Sequence, residues 1–256
     1  MTVRTELRDR TLVVMIDRPE RRNAVDGPTA DALHEAFSAF DEDDAVDVAV
    51  LTGAEGTFCS GADLSAIGDG RGNRVEEDMS LPGPMGCTRM LLSKPVIAAV
   101  EGHAVAGGLE LALWCDLRVA ASDAVFGVYC RRWGVPLIDG GTVRLPRLIG
   151  QSRALDMILT GRGVDGVEAR EWGLANRICD RGESLEHAVA LADQLAAFPQ
   201  VCLRSDRASS YEQWGMELPD ALANEIRHGL EPIRSGETLA GAQRFAGGAG
   251  RHGESV

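Results

Sequence analysis

Glu110 stands three residues past Gly107 and two past Gly108, in the stretch GHAVAGGLELALWCD (102–116), where an otherwise apolar helix begins. A carboxylate at that place has two readings. The partial positive charge of a helix start favours it. Alternatively, it is a partly buried base that takes a proton from water, or from a carbon beside a carbonyl. A second glycine turn, FCSGADL (58–64), directly follows the strand-like VLTGAEGT. The first amides of a helix have no intrahelical acceptor, and glycine lets another backbone or a ligand approach closely. One amide from each turn, converging on a single oxygen, would stabilise an oxyanion. Taken singly, each turn also suits an ordinary strand-to-helix connection.

Four further positions are candidates for chemistry. Asp139, in LIDGGT (137–142), precedes another helix-like segment. It is either an N-cap for that helix or a second carboxyl whose environment separates its ionisation from that of Glu110. Cys130, in FGVYCRRWGV, reads as a buried structural thiol. The neighbouring Arg131 and Arg132 are either solvated surface or contacts for an anionic group. The five histidines (His34, His103, His187, His228, His252) are scattered without ligand spacing, so no metal site is expected. The six cysteines (Cys59, Cys87, Cys115, Cys130, Cys179, Cys202) form no CxxC. The charged N-terminal stretch has no apolar core of a signal peptide. Reduced thiols and a cytoplasmic location follow as expectations.

These residues need a frame that brings distant turns together. Residues 2–17 read as a hairpin turning at Asp9-Arg10. Residues 29–42 show helical spacing, with Leu33, Phe37 and Phe40 on one face. VDVAVLTG, PVIAAVEG, LRVAAS, AVFGV and ANRIC read as strands, and LELALWCD as a helix. MGCTRMLLS is expected as a short helix, and residues 65–84, rich in glycine and charge, as a mobile surface loop. From residue 140 the chain is mostly helical: GGTVRLPRLIG, QSRALDMILTG, VDGVEAREWG and ESLEHAVALADQLAAF. The Gly-rich tail, AGGAGRHGESV, is expected to fray. Alternating strands and helices argue for an α/β core, and the last third for a packing or assembly layer. The 256 residues, 45% hydrophobic, suffice for a sizeable core. A net charge of −13 argues against general nucleic-acid binding, and no apolar run is long enough to span a membrane.

The segments RRNAVDGPTADAL (21–33), DDAVDVAVLTGAEGTFCSGADL (43–64), KPVIAAVEGHAVAGGLELALWCDLRVAASDAVFG (94–127), GGTVRLPRLIG (140–150) and ILTGRGVDGVEAREWGLANRI (158–178) together resemble the crotonase (enoyl-CoA hydratase/isomerase) superfamily. The resemblance implies an α/β, ClpP/crotonase-like fold of repeated ββα units with a C-terminal helical trimerisation region. Residues 1–195 would form the core for CoA-thioester binding and catalysis, and residues 196–256 the helical oligomerisation region. It implies an acyl-CoA thioester as substrate, with coenzyme A part of that substrate and no separate cofactor. It implies an oxyanion hole from the amides of Ala62 and Gly107, with Glu110 as the first catalytic glutamate. Substrate and CoA contacts would fall on Arg22, Ala24, Ser60, Gly61, Asp63, Leu64, Gly108, Cys130 and Trp133. Cys130 occupies the position where hydratases of the superfamily carry a second glutamate, and Asp139 matches an aspartate of its dienoyl-CoA isomerases.

The implied activity is hydration of a trans-2-enoyl-CoA, with Glu110 directing water and Asp139 or water returning a proton. Two alternatives stay open: an enoyl-CoA or dienoyl-CoA double-bond isomerase, and a non-catalytic acyl-CoA binder. The expected assembly is a homotrimer or a dimer of trimers, with neither nucleic acid nor membrane as partner.

Overall fold

A computed structural model describes residues 2–250. Among the described residues, nine strands and nine α-helices follow one another. The first part of the chain holds β1 (Val3–Arg8), β2 (Thr11–Ile16), α1 (Gly27–Glu42), β3 (Val48–Gly53), β4 (Val96–Val100), β5 (His103–Val105) and α2 (Gly107–Trp114). Next come β6 (Leu117–Ala121), β7 (Val125–Gly127), α3 (Gly141–Ile149), α4 (Gln151–Thr160), β8 (Gly163–Asp165), α5 (Gly166–Trp172) and β9 (Arg177–Cys179). Four helices close the chain: α6 (Ser184–Ala196), α7 (Gln200–Glu212), α8 (Leu218–Arg234) and α9 (Glu237–Ala246). The final residues of the Gly-rich tail, 251–256, lie outside the described residues.

The larger sheet has the order β1-β2-β3-β4-β6-β9; the β1–β2 hairpin is antiparallel and every other pair is parallel. Its central strands are apolar on both faces, as strands covered on both sides must be. Val48 and Val50 of β3, Ile97 and Ala99 of β4, and Val119 of β6 pack under α6. Helix α6 offers Leu185, Ala188, Val189, Ala192 and Leu195 at helical spacing. The alternate residues Ala49, Leu51, Ala98, Val100 and Ala120 join the main core with α1 and α2. There Phe37 meets Phe40 and Trp114 edge-on, at centroid distances of 6.4 and 4.8 Å.

A smaller sheet, β5-β7-β8, creates the site. Strands β4 and β6 each run into a short second strand that leaves the large sheet, β5 and β7 respectively. These two pair in parallel, with Ala104 opposite Phe126. Cys59 makes a parallel bridge to Ala104 on the other side. Three chain segments therefore end side by side: Cys59, β5 and β7. Their following turns, 60–62, 106–107 and 128–130, come together at the carboxyl ends of parallel strands, where α/β folds bind ligands.

One expectation needs correction, and one strand was not expected. MGCTRMLLS forms turns, not a helix. Gly86 has φ +84°, and the Met85 amide donates to the Asp139 carboxylate at 3.0 Å, so the backbone is drawn away from a helical ladder. Strand β8 has no counterpart in the reading of the sequence; at three residues it shows no periodicity. Residues 65–84 are without strand or α-helix, as expected of a surface loop, and the Arg89 guanidinium fastens part of the loop through the carbonyls of Glu76, Asp78 and Leu81. No helix among the described residues is long and apolar enough to cross a membrane.

Candidate active site

Two glycine turns meet at the strand ends. Gly61 has φ +98°, and a Cβ there would stand 2.8 Å from the Ala106 Cβ and 3.0 Å from the Gly107 nitrogen. Only glycine permits both the conformation and the approach. Ala106 has φ +55° and ψ −127°, a conformation rare for a residue with a side chain, and its amide donates to the Gly127 carbonyl at 2.9 Å. Such strain persists where the surroundings over-determine it, and it clusters at functional positions. Beyond it, α2 opens at Gly107. Among the described residues, neither the Ala62 nor the Gly107 amide has a protein acceptor. Gly108 is confined too: a Cβ there would overlap the Cys59 carbonyl.

The Ala62 turn is fixed from behind. The Val25 amide donates to the Gly61 carbonyl at 2.8 Å, and the Asp63 amide to the Val25 carbonyl at 2.9 Å. The buried Arg18 guanidinium joins Asp63, at 2.9 Å, to Asp26, at 3.1 Å. Burial alone would raise the Asp63 carboxyl's pKa, but hydrogen bonds from Ser65 and Arg18 outweigh it and hold the carboxyl below its usual range. The Asp63 side chain is thus committed inside the turn. Arg22 and Asn23 both have left-handed φ. The Arg22 carbonyl accepts from the Ser60 amide, and Asn23 donates to the carbonyls of Ala54 and Thr57. The segment from Arg18 to Val25 is laced to the turn, with Ala24 buried and the Arg22 side chain exposed. Leu64 is exposed at the turn's far end.

Glu110 is only 2% exposed, one helical turn beyond Gly107. Its Oε1 accepts from the amides of Asp139, at 2.9 Å, and Gly141, at 2.8 Å. Oε2 has no protein partner among the described residues. Burial, then the Asp139 charge, raises the Glu110 pKa to about 7; the two amides and Arg144 counteract them. A buried carboxyl poised near neutral pH fits general base work.

Asp139, 5% exposed, lies beside Glu110 and is not a helix cap: the N-cap of α3 is Gly140. Its Oδ1 accepts from the Met85 amide and the Thr88 hydroxyl. Burial raises its pKa, against the pull of Thr88, Met85, Arg89 and Arg144. Cys130 lies buried in a 3-10 turn, Tyr129–Trp133, and its thiol is pushed up by burial and then by the Glu110 charge. Trp133, in the same turn, is 74% exposed. Arg131 donates to the Ile158 carbonyl and Arg132 to that of Gly161, so both hold the end of α4.

Several contributors escaped the sequence reading. Arg18 and Asp26 give no local pattern, because their partner lies 45 residues away from Arg18. Thr88 and Met85 sit in the segment read as a helix. Arg144 did leave a signal: it is a cation in the first turn of α3, where the helix dipole disfavours one.

Along most of its length the chain resembles known proteins. The enoyl-CoA hydratase/isomerase family profile matches residues 7–248. Enoyl-CoA hydratase EchA19 of Mycobacterium tuberculosis is 34% identical over 94% of this chain and 92% of its own length. A carnitinyl-CoA dehydratase of Proteus mirabilis is 38% identical over 74% of this chain and 72% of its own. A mevalonyl-coenzyme A hydratase of Aspergillus fumigatus is 32% identical over 80% and 76%. Among solved structures, enoyl-CoA hydratase EchA1 of Mycobacterium marinum superposes with a TM-score of 0.90, at 36% identity, over 96% of this chain and 95% of that one. The architecture expected from the sequence is therefore the one found, and the chain is a member of the enoyl-CoA hydratase/isomerase family, with the crotonase fold.

Proposed function

We propose that the protein is a hydro-lyase that adds water to a trans-2-enoyl-CoA. The observation that carries this reading is the meeting of two acceptor-free amides, Ala62 and Gly107, with a neutral-poised carboxyl, Glu110, one helical turn beyond. The thioester oxygen accepts from both amides. As the enolate forms, its charge falls on that oxygen, and donors fixed in advance stabilise it more than they stabilise the ground-state carbonyl. Glu110, through Oε2, takes a proton from the water that attacks the β-carbon. Asp139, or water, returns a proton to the α-carbon, and the product is a 3-hydroxyacyl-CoA. The same steps reversed dehydrate it. The hydratases and dehydratase among the relatives support this class of reaction.

In this reading the pantetheine and adenine parts lie along Arg22, Ala24, Ser60 and Gly61 and the backbone of Asp63 and Leu64. Gly108, Cys130 and Trp133 border the acyl side. Coenzyme A belongs to the substrate, and no other cofactor is invoked. Residues 1–195 act as the core and residues 196–256 as the assembly region of a homotrimer or dimer of trimers. The exposed Leu218, Leu222, Ile226, Ile233, Leu239 and Phe245 on α8 and α9 would be covered there. The six free cysteines suit a reducing cytoplasm.

One sequence feature favours a second reading, double-bond isomerisation: the resemblance puts Cys130 where hydratases of the superfamily carry a second glutamate. The enolate and Glu110 would be kept and the water dropped. The test follows loss of the conjugated thioester absorbance of short and medium trans-2-enoyl-CoA, for the wild type and for Glu110→Gln. Turnover that collapses in the variant supports hydration through Glu110. Binding without turnover removes that reading; 3-enoyl and dienoyl substrates then separate an isomerase from a non-catalytic binder.

A further inference from the structure

We propose that Arg144 is the positioning residue of this site: it holds the backbone that presents the Glu110 carboxylate and keeps that carboxylate available as a base. The proposal rests on the reading of Glu110 as the base.

Arg144 is in an unfavourable place. It sits in the first turn of α3, at the positive end of the helix, and is partly buried. Among the described residues it has no carboxylate within ion-pair distance. Its two hydrogen bonds go to carbonyls, to Asp139 at 2.8 Å and Thr88 at 2.7 Å. Burial lowers its own pKa. A desolvated cation with only neutral partners costs stability, so its contribution must lie in what the two bonds hold.

Both bonds close on Glu110. The Asp139 carbonyl lies on the same short backbone as the Asp139 and Gly141 amides that donate to Glu110 Oε1. The Thr88 carbonyl belongs to the residue whose hydroxyl bonds the Asp139 carboxylate. One guanidinium thus completes a circuit from Arg144 through Thr88 and Asp139 to Glu110. Its planar fork is what spans two carbonyls at once. Two glycines make the space. A Cβ on Gly140 would overlap an Arg144 nitrogen, and one on Gly141 would stand 2.9 Å from Glu110 Oε1.

The charge acts alongside the geometry. Glu110 faces the Asp139 carboxyl, the Arg144 guanidinium and, from the 3-10 turn, the Cys130 thiol. Asp139 faces Arg89 and Arg144; Arg144 also faces Tyr211 of α7 and Cys87. Arg144 is thus the cation opposing burial and Asp139 at Glu110, and both oppose ionisation there. Removing it leaves Glu110 protonated to a higher pH.

The test compares wild type with Arg144→Met, Arg144→Lys and Arg144→Gln. In Arg144→Met the acid limb of kcat/KM is expected to move up by about half to one pH unit. Activity below the limb then drops by up to about tenfold more than activity above it, with KM little changed. Arg144→Lys returns the limb towards the wild-type position but keeps a reduced kcat, since one ammonium does not replace a fork. Should the Met variant fail to fold, Arg144→Gln carries the same comparison. The Glu110 carboxyl is also titrated directly by infrared difference spectroscopy, with Glu110→Gln to assign its band. Unchanged Glu110 titration in the variants overturns the proposal. Shifted titration in a protein that hydrates no thioester supports Arg144's hold on Glu110 and removes the hydratase reading instead.

Discussion

A Cβ on Gly61 would stand 3.0 Å from the amide nitrogen of Gly107, although the two residues lie 46 positions apart in the chain. That closeness is what makes one site of two turns. Gly61→Ala would force apart the donors of the proposed oxyanion hole and impose φ +98° on a side-chain-bearing residue. The expected loss in kcat/KM is about 10²–10³-fold, the usual cost of removing an oxyanion donor. Gly56→Ala is the control. It has φ +73° but nothing within 4 Å of its Cβ. It should lose about 1–2 kcal/mol of stability and keep its kcat/KM. Equal activity in the two variants would refute the oxyanion assignment.

Glu110 should weaken the fold at the pH where it serves as base. Folding raises its pKa from 4.5 to about 7. The folded chain therefore favours the protonated form. The stabilisation from this group is complete below pH 4.5 and disappears as the pH rises through 7, a difference of roughly 3 kcal/mol. Glu110→Gln keeps the shape and removes the titration. It should be more stable than wild type by about 1–3 kcal/mol at pH 8, with the gap closing below pH 4.5. Hydration should fall about 10²–10⁴-fold. Urea unfolding at pH 4.5 and pH 8 tests the first part, and identical stability differences at both would show that Glu110 ionises freely.

Asp139 and Cys130 are separated by opposite outcomes. Asp139→Asn keeps an acceptor for Met85 and Thr88 and removes the carboxyl that would return the proton. Its kcat should fall about 10–100-fold for want of the returning proton. Cys130→Ala loses only a buried, poorly ionised thiol, and its kcat should stay within about threefold, below the contribution of a general acid. A collapse in Cys130→Ala with full activity in Asp139→Asn would exchange their roles.

Much of this is legible in the sequence. Strand segments such as VAVL and VIAAV are apolar throughout, and α1 shows its buried face at Leu33, Phe37 and Phe40. The glycine turns and Glu110 stand out because their residue types conflict with ordinary core packing. What escaped is what depends on distant partners. The Met85 segment looks helical locally, yet Asp139, 54 residues on, takes its amide. Asp139 looks like a helix cap, but its helix begins at a glycine and its carboxylate turns to Thr88. The Arg18–Asp26–Asp63 cluster has no periodicity to betray it. Local pattern carries the elements; the polar contacts between turns are set only once the elements pack.

Asp116 should decide whether α7 stays docked. It lies just past the C-cap of α2, and its Oδ1 accepts from Arg207 at 2.8 Å and from the Tyr211 hydroxyl at 2.7 Å. Its Oδ2 accepts from the Val96 amide, at the start of β4, at 2.7 Å. One carboxylate therefore ties α7 to the large sheet, and burial with the Asp116 charge pushes the Tyr211 phenol up. Asp116→Ala leaves Arg207 without that partner and the Val96 amide without its acceptor. The expected cost is about 2–4 kcal/mol. Asp116→Asn keeps acceptor capacity and should cost less, about 1 kcal/mol. Hydrogen exchange locates the effect. In Asp116→Ala the amides of α7 and α8 should lose protection together, since the two helices pair, while β3 and α6 keep theirs. Unchanged protection in α7 would mean that packing against α8 holds it, and that the assembly region is independent of this carboxylate.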